Sequence, residues 1–341
     1  MKKFFGTLGI IFLILITSIV FIAYKSFFAK NIFPEKNKFF FVSKGMKYDD
    51  VIKILKQKKI IQDNFYFSIA LKVFPIGGNF RIGKYSISSR LNNVEIIKLL
   101  RSGGAIVPIT VVIPPGTTIK QQAKIFRKNL EIDSSRFVNL VFDKKFISKF
   151  NIDANSLEGY LYPANYELMW QMNEETILET QVKKIFSVID EKILQRAEKI
   201  GLNMHELLTL ASIVQGETRL ESEMPRVAGV YLNRLKKGIY LQADPTIQYI
   251  IPDSPRRLFL KDYKIPSLFN TYLHKGLPPT PINNPTKKYI DAVLNYEKHN
   301  YLFFVYNGID GHTFTRTYAE HLVEVRKLRE FLKEKAKLSE Q

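Results

Sequence analysis

The stretch "LLTLASIVQGETRLESEMPR" (Leu207–Arg226) sets the framework for the larger part of this chain. It begins as a buried helix, apolar nearly throughout, and it places a carboxylate, Glu217, where the apolar pattern ends. Helical spacing puts Glu217 on one face with Leu207, Leu210 and Val214. Desolvation on such a face raises the pKa of a carboxyl, which suits a general acid near neutral pH. The alternative is a helix that ends at Gly216, with Glu217 in solvent.

The composition narrows the class of protein. The chain has 341 residues, 46% hydrophobic and 24% charged, so it is not mostly disordered and two or three domains are expected. Because it lacks cysteine, it has no disulfides, and a metal site would need His and carboxylate ligands. The net charge of +19 indicates an anionic partner (nucleic acid, anionic lipid or an acidic wall polymer) or simply a solvated basic surface.

An uncharged apolar run follows the first three residues. Residues 4–24 span ~30 Å as a helix, the thickness of a bilayer core. The run ends in Tyr24 and Lys25 without a small-residue cleavage site, which favours an uncleaved single-pass anchor. Residues 1–3 are then a short cytoplasmic start, and the bulk of the chain lies outside the cytoplasm. That location argues against nucleic acid as the partner.

Beyond the anchor, the pattern predicts an α+β fold in several parts. Residues 38–104 form one small α+β domain of alternating strands and amphipathic helices, and residues 105–150 form a connecting strand–helix module. Residues 151–341 form a larger mixed α+β domain, with a long helix over about 174–200. Because this half is long and rich in loops, we expect the function to lie there.

A second carboxylate, Glu158, occurs in "LEGYLYP" beside Tyr160. Aromatic side chains next to a carboxylate suit stacking on sugar faces. The alternative is a turn carboxylate that caps local backbone amides. Both residues are therefore candidates for substrate binding.

Further polar candidates lie downstream. Amides, hydroxyls and an acid at close spacing make a plausible pocket around "NRLKKGIYLQADPTIQY", although Asp-Pro-Thr is equally a turn signal. A Pro-constrained loop supplies either a cleft wall or a rigid connector, and one histidine is either a site residue or a strand-edge donor. The candidates are Asn233, Gln242, Asp244, Thr246, Asn270, Tyr272 and His312.

Common cofactor and nucleophile motifs are missing. The five histidines show no H-E-x-x-H or other metal spacing, and there is no P-loop or dinucleotide fingerprint. Serine nucleophile motifs are also absent. We therefore predict no metal site and no cofactor.

Several segments together resemble the MltG-type (YceG-like) endolytic murein transglycosylases. In chain order they are "LEGYLYP", "LASIVQGET", "VAGVYLNRL", "LQADPTIQY", "FNTY…GLPPTPINNP" and "YLFFVYNGIDGHTFT". The resemblance covers essentially the whole chain and is densest from Leu157 to Thr315. It implies a LysM-like domain at residues 38–104 and a catalytic domain at residues 151–341.

The resemblance also implies a catalytic residue and a reaction. The family's glutamate within A-S-I-V-x-x-E falls on Glu217, and where many relatives carry a second Glu this chain has Gln215. Such enzymes cleave the bond between N-acetylmuramic acid and N-acetylglucosamine without water. The glutamate protonates the leaving oxygen, and the muramyl C6 hydroxyl attacks its own anomeric carbon to give a 1,6-anhydro end. The other candidates would hold the sugars.

Two alternatives stay open beside this reading. One is a water-using muramidase with Glu158 or Asp244 as its second carboxylate. The other is a non-catalytic wall-binding scaffold of the division machinery. The expected partners are nascent peptidoglycan strands, whose elongation the cut would limit, and, by resemblance only, penicillin-binding synthases and other elongation or division proteins. No nucleic-acid partner is expected.

Overall fold

A computed structural model describes residues 2–35, 38–77, 80–252 and 254–339 of the chain. Helices and short strands are mixed along these residues, so the predicted α+β class is confirmed. They divide into two compact units. Met1, from the predicted start 1–3, and residues 340–341 of the predicted domain 151–341 lie outside the described residues.

The N-terminal apolar run is one uninterrupted helix, α1 (Lys2–Phe27). Within the described residues, its segment Gly6–Phe27 is the one helix long and apolar enough to cross a membrane, and its window is not buried inside the protein. The 22 residues of this segment are ~33 Å long at 1.5 Å per residue. The helix is thus compatible with a single-pass anchor and continues past the predicted span 4–24.

The first unit extends to Val111 and includes the later pieces Asn129–Ile132 and Tyr166–Met172. Its antiparallel sheet has the order β2 (Phe39–Val42), β3 (Gly83–Ser86) and β5 (Ile106–Val107). Its helices are α2 (Tyr48–Gln57), α3 (Asn64–Val73) and α4 (Asn93–Ser102). A two-residue strand β1 (Lys30–Asn31) pairs with β4 (Leu91–Asn92). The predicted domain 38–104 lies within this unit.

Local chemistry sets both ends of α4. Asn92 and Glu95 form a capping box, in which each side chain accepts a hydrogen bond from the other residue's backbone N–H, at 2.9 and 2.7 Å. Gly103 ends the helix in the left-handed region, with φ +73°. Between these ends, Ile96 and Leu100 are buried in the core of the unit. This helix follows directly from its sequence.

The strand of the predicted module 105–150 finds its partner outside that module. β6 (Ile109–Val112) pairs with β7 (Asn165–Leu168), more than fifty residues later in the chain. Between the two strands lie the helices α5 (Ile119–Leu130), α6 (Ser134–Phe142) and α7 (Lys144–Ser148). Strand pairing of this kind is non-local and cannot be read from one segment.

The predicted long helix over 174–200 is wrong, because the segment forms two helices, α8 (Glu174–Val188) and α9 (Glu191–Lys199). Asp190 causes the break: its carboxylate accepts a hydrogen bond from the Ile193 N–H at 2.9 Å and caps the second helix. Ile185 and Ile193 are both buried, so the two helices keep the apolar periodicity that suggested one.

A central helix, α10 (Met204–Glu217), organises the second unit. Every residue of 207–214 is buried, because the helix packs against its neighbours on several sides. These neighbours are α11 (Met224–Lys236), α12 (Asp244–Ile250) and α13 (Lys287–Leu294). The chain between α12 and α13 is irregular apart from a short 3-10 helix at Asp262–Lys264.

The second unit ends in a hairpin and a helix. β8 (Phe303–Tyr306) pairs antiparallel with β9 (His312–Thr315). The terminal helix α14 (Tyr318–Ser339) packs on both strands at its N-terminal end. This packing brings the first turn of α14 to the cavity described below.

Candidate active site

Glu217 is the last residue of α10. The alternative interpretation, in which the helix ends at Gly216, is therefore wrong. The helix starts at a capping box in which Asn203 and Glu206 each accept the other's backbone N–H at 2.9 Å. At its other end, Glu217 is half-buried. The side chain is therefore held at the edge of the core and is not free in solvent.

Gly216 allows a second element to reach the end of α10. A Cβ added at this position would lie 2.5 Å from Cβ of Pro245, closer than side chains pack. Pro245 follows Asp244, the first residue of α12. The close approach thus places Asp244 and Glu217 beside the same cavity.

The cavity has a volume of about 270 Å³ and lies entirely within the second unit. Two carboxylates, an arginine, several tyrosines and two phenylalanines make its wall. The lining residues are Glu217, Tyr231, Arg234, Leu241, Gln242, Asp244, Tyr272, Phe303, Phe304, Tyr318 and His321. A mixed polar and aromatic wall of this kind suits a carbohydrate ligand better than an apolar one.

Burial raises the pKa of Glu217 to about 8. The hydrogen bond from the Tyr231 hydroxyl to Oε1 of Glu217 lowers this pKa, the charge of Asp244 raises it, and the charge of Arg234 lowers it. Burial outweighs the two lowering effects. Glu217 is consequently a protonated carboxyl at neutral pH that faces a cavity.

Tyr231 and Arg234 lie three residues apart on α11 and so share a face. Arg234 is buried, and its guanidinium donates to the carbonyl oxygens of Leu302 at 2.6 Å and Leu241 at 2.8 Å. Burial lowers its pKa. Backbone carbonyls hold the guanidinium in place, and Arg234 lines the cavity.

Asp244 is the second carboxylate of the wall, and it is exposed. Tyr272 donates its hydroxyl to Oδ1 of Asp244 at 2.6 Å. Burial and the neighbouring Asp244 charge raise the pKa of Tyr272. The hydroxyl therefore stays a donor to the exposed side chain of Asp244.

The hairpin and α14 supply the remaining wall. The ring of His321 stacks on Phe303 with centroids 5.4 Å apart. Its Nδ1 is buried without a hydrogen-bond partner among the described residues. Burial and the charge of Arg234 lower the pKa of His321, so the imidazole is neutral at neutral pH.

The structure brings some of the sequence-predicted site residues together at the cavity and separates others from it. Glu217, Gln242, Asp244 and Tyr272 line the cavity. The remaining ones hold other parts of the second unit together through internal hydrogen bonds. These are Glu158, Tyr160, Asn233, Thr246, Asn270 and His312.

Buried hydrogen bonds explain the positions of Thr246 and Asn270, which are both 0% exposed. The hydroxyl of Thr246 donates to the Ala243 carbonyl at 2.7 Å. Asn270 donates to the carbonyls of Tyr263 and Ile265 and accepts from the Tyr272 N–H. They shape the loops beneath Asp244 and Tyr272, which do line the cavity.

Asn233 and His312 make similar internal contacts. The amide of Asn233 donates to the carbonyls of His299 and Tyr301 at 2.8 and 3.1 Å. The Nδ1 atom of His312 lies 2.7 Å from the carboxylate of Glu223. Tyr160, 3% exposed, has its hydroxyl 3.0 Å from Nδ1 of His205.

Glu158 is only 1% exposed. Its carboxyl accepts from the Ile119 N–H at 3.1 Å, from the Asn284 amide at 2.8 Å and from the Tyr249 hydroxyl at 3.3 Å. Burial raises its pKa to about 8, against the lowering effect of these donors. The contact with Ile119, the first residue of α5, fits the alternative of a carboxylate that caps backbone amides.

Our sequence-based site did not include Tyr231, Phe303, Phe304, Tyr318 or His321. A usable signal exists for two pairs: Tyr231 and Arg234 are three residues apart, which is a helical spacing, and so are Tyr318 and His321. The predicted site contains Asn233 but not its neighbour Arg234, and adjacent helical residues point in different directions.

The described residues contain no group of three or more His, Asp or Glu side chains placed to hold a metal ion. The cavity wall itself supplies carboxyl, hydroxyl and guanidinium groups. A carboxyl group whose pKa is raised by burial and that faces a cavity is able to act as a general acid.

The chain belongs to the YceG-like family, whose family model matches residues 40–327. A Bacillus subtilis (strain 168) relative named endolytic murein transglycosylase is 28% identical over 295 residues, 82% of this chain and 81% of the relative. A Streptococcus pneumoniae (strain D39) protein of the same name is 26% identical over 324 residues. That match covers 82% of this chain but 58% of the pneumococcal protein.

A crystal structure from Listeria monocytogenes, described as that of a yceG-like protein, resembles this fold. It is 29% identical, with a TM-score of 0.59, and the match covers 83% of this chain and 98% of the other. The family assignment predicted from the motifs is therefore confirmed.

Proposed function

We propose that this protein is an endolytic murein transglycosylase that cuts peptidoglycan strands internally, with Glu217 as its acid and base. The named relatives support the reaction class. The observation that carries the residue assignment is a half-buried Glu217 whose pKa is raised to about 8 and whose side chain lines the cavity. A group that is neutral at pH 7 can donate a proton there.

The reaction needs two proton movements and no water. Protonated Glu217 donates its proton to the oxygen that links N-acetylmuramic acid to N-acetylglucosamine, and the bond from that oxygen to the muramyl anomeric carbon breaks. The muramyl C6 hydroxyl attacks the same carbon and gives its proton to the Glu217 carboxylate. The products are a 1,6-anhydro end and a free 4-hydroxyl, and Glu217 is protonated again. The nucleophile is part of the substrate, so its effective concentration is high.

Groups around the cavity have roles in stabilising the charges of this reaction and in binding the sugars. The Asp244 carboxylate stabilises positive charge on the ring as the bond breaks. The Tyr231 hydroxyl, which donates to Glu217, stabilises the carboxylate form between the two proton transfers. Gln242 and Tyr272 are placed on the wall to hydrogen-bond the sugars.

We place the enzyme in the plasma membrane, with its N-terminus inside and its catalytic part outside. The support is the apolar segment Gly6–Phe27 and the net charge of +19, which suits a glycan that carries carboxylates. Residues 38–104 act as the LysM-like domain and residues 151–341 as the catalytic domain. Penicillin-binding synthases remain partners by family resemblance.

Product analysis tests the proposal. Purified sacculi treated with the full chain are expected to release fragments with 1,6-anhydro-muramyl ends, read by mass spectrometry. Glu217→Gln should abolish their release. Glu221→Gln is the matched control, because Glu221 lies just beyond the helix, is 76% exposed and pairs with Lys288 at the surface.

Three results would contradict the proposal in different ways. Reducing ends in place of anhydro ends would indicate a water-using muramidase with Asp244 as the second carboxylate. Unchanged digestion by Glu217→Gln would remove Glu217 from the reaction. Absence of any digestion by the parent chain would leave a wall-binding scaffold.

A further inference from the structure

The helix α3 in the first unit has an apolar face that the protein leaves uncovered. Its inner face places Phe67 and Ala70 in the core. On the opposite side, Phe65, Ile69 and Val73 follow at four-residue steps and form one stripe. Phe65 is 58% exposed and Val73 is 55% exposed. Large apolar side chains grouped in this way indicate a surface that contacts something apolar.

Both ends of α3 are held against the last turn of α1. At its C-terminal end, the ring of Phe74 packs edge-on against Phe27, with centroids 6.0 Å apart. At its N-terminal end, Tyr66 lines a pocket of about 200 Å³ together with Lys25 and Lys30. The helix α3 therefore packs beside the C-terminal end of α1.

This position fixes the depth of α3 relative to a bilayer. The 22-residue segment Gly6–Phe27 is ~33 Å long, so its two ends lie at the two boundaries of a ~30 Å hydrocarbon core. Since α3 packs beside Phe27, we expect it to lie at the boundary between hydrocarbon and headgroups. Helices with an apolar face at this depth lie in the plane of the interface.

The residues around the stripe have the chemistry of that interface. Phe28 and Phe74, on either side of the contact with α1, are 67% and 42% exposed. Three lysines accompany them: Lys25, Lys30 and the exposed Lys72. Aromatic rings and basic side chains at the end of a membrane span are the usual contacts of acyl chains and lipid phosphates.

We propose that α3 docks on the membrane that holds α1, with Phe65, Ile69 and Val73 inserted among the lipids. This inference rests on the proposed anchoring of α1 in a bilayer. A lipid surface is the occupant because the stripe lies on a helix that packs beside the end of the spanning helix, among exposed aromatic and basic side chains. The first unit then contacts the bilayer directly, and α1 is more than a flexible tether.

The chain lacks cysteine, so any introduced cysteine is a unique label site. Full-length chains with Phe65→Cys or Val73→Cys are spin-labelled and reconstituted at one chain per lipid nanodisc, which excludes protection by a second copy. Leu15→Cys, within α1, reports on the anchor, and Lys53→Cys, exposed on α2, is the matched control in the same unit. Thermal unfolding followed by circular dichroism checks that each variant is folded.

The measurement compares collisions of the label with oxygen, which concentrates in lipid, and with a water-soluble nickel chelate. Labels at 65 and 73 are expected to show a several-fold higher ratio of oxygen to nickel collisions than the label at 53, close to the ratio at 15. A ratio at 65 and 73 equal to that at 53 overturns the inference, provided that 15 is in lipid. A label at 15 that is open to nickel overturns the anchoring itself, and the docking with it.

Discussion

Glu217 and Glu158 are two carboxyl groups with the same raised pKa of about 8 and the same main cause, burial. Their surroundings differ. Glu158 is fully buried and accepts hydrogen bonds from a backbone amide, an asparagine and a tyrosine. Glu217 accepts one from Tyr231 and lines a cavity. A raised pKa thus indicates a reactive carboxyl only where the group can also reach a ligand.

The largest expected difference between the two glutamates concerns turnover. Glu217→Gln should lower the rate of anhydro-end formation at least about 100-fold, because general acid catalysis contributes that much or more. Glu158→Gln should keep most of the parental rate when assayed at a temperature where it is folded. A folded Glu158→Gln protein as inactive as Glu217→Gln would break the comparison.

The second expected difference concerns the free energy of unfolding, and here the larger effect is expected at Glu158. In Glu158→Ala, the Ile119 N–H and the Asn284 amide lose their acceptor inside the core. An unsatisfied buried donor costs about 1–3 kcal/mol of unfolding free energy. Glu217→Ala should change stability less, since its side chain reaches the cavity. Urea unfolding of both variants at pH 7 measures this order, and a less stable Glu217→Ala would contradict it.

The pH dependence of stability tests whether the two glutamates keep their protons in the folded protein. Between pH 4.5, the ordinary value, and about 8, the folded protein keeps protons on these groups that the unfolded chain has lost. The contribution of these groups to the free energy of unfolding is therefore fully present below pH 4.5. It falls as the pH rises towards 8, by at most about 1.4 kcal/mol per pH unit for each such group. Melting temperatures between pH 5 and 8 should fall in the parent and fall less steeply in Glu158→Gln. Equal slopes would show that Glu158 holds no such proton.

A smaller effect concerns the pH profile of turnover, which should decline above about pH 8 as Glu217 loses its proton. Tyr231→Phe removes a hydrogen bond that lowers this pKa, so the decline should move to higher pH. Asp244→Asn removes a charge that raises it, so the decline should move to lower pH. Both shifts are expected to be fractions of a pH unit. Shifts in the same direction, with Glu221→Gln unchanged, would contradict the assignment.

The smallest expected effect is on substrate binding. His321 presents a neutral ring to the cavity. Loss of one neutral hydrogen bond costs about 1 kcal/mol, so His321→Ala should raise KM roughly fivefold and leave kcat near the parental value. His274→Ala is the control, because His274 is exposed and outside the cavity wall. A fall in kcat with an unchanged KM would instead tie His321 to the acid–base step.

The candidate site was predictable in part because helical spacing is local information. It placed Glu217 on an apolar face, and clustered polar residues pointed to the segment that holds Gln242 and Asp244. The same clustering could not distinguish the residues that line the cavity from those that hold the surrounding loops in place. Thr246 and Asn270 have suitable side chains, but their polar atoms are used by neighbouring carbonyls and amides. Only the folded loops reveal that.

The sequence by itself determined the apolar segment at the N-terminus, the caps of α4 and α10, the α+β class and, through its ordered motifs, the family. These depend on hydrophobic periodicity and on hydrogen bonds between residues close in the chain. The tertiary structure alone decided which of two buried glutamates faces a cavity, and it brought His321 and Phe303 to the same wall as Glu217. The positions of His321 and Phe303 beside Glu217 depend on contacts between residues more than eighty positions apart, which no local pattern encodes.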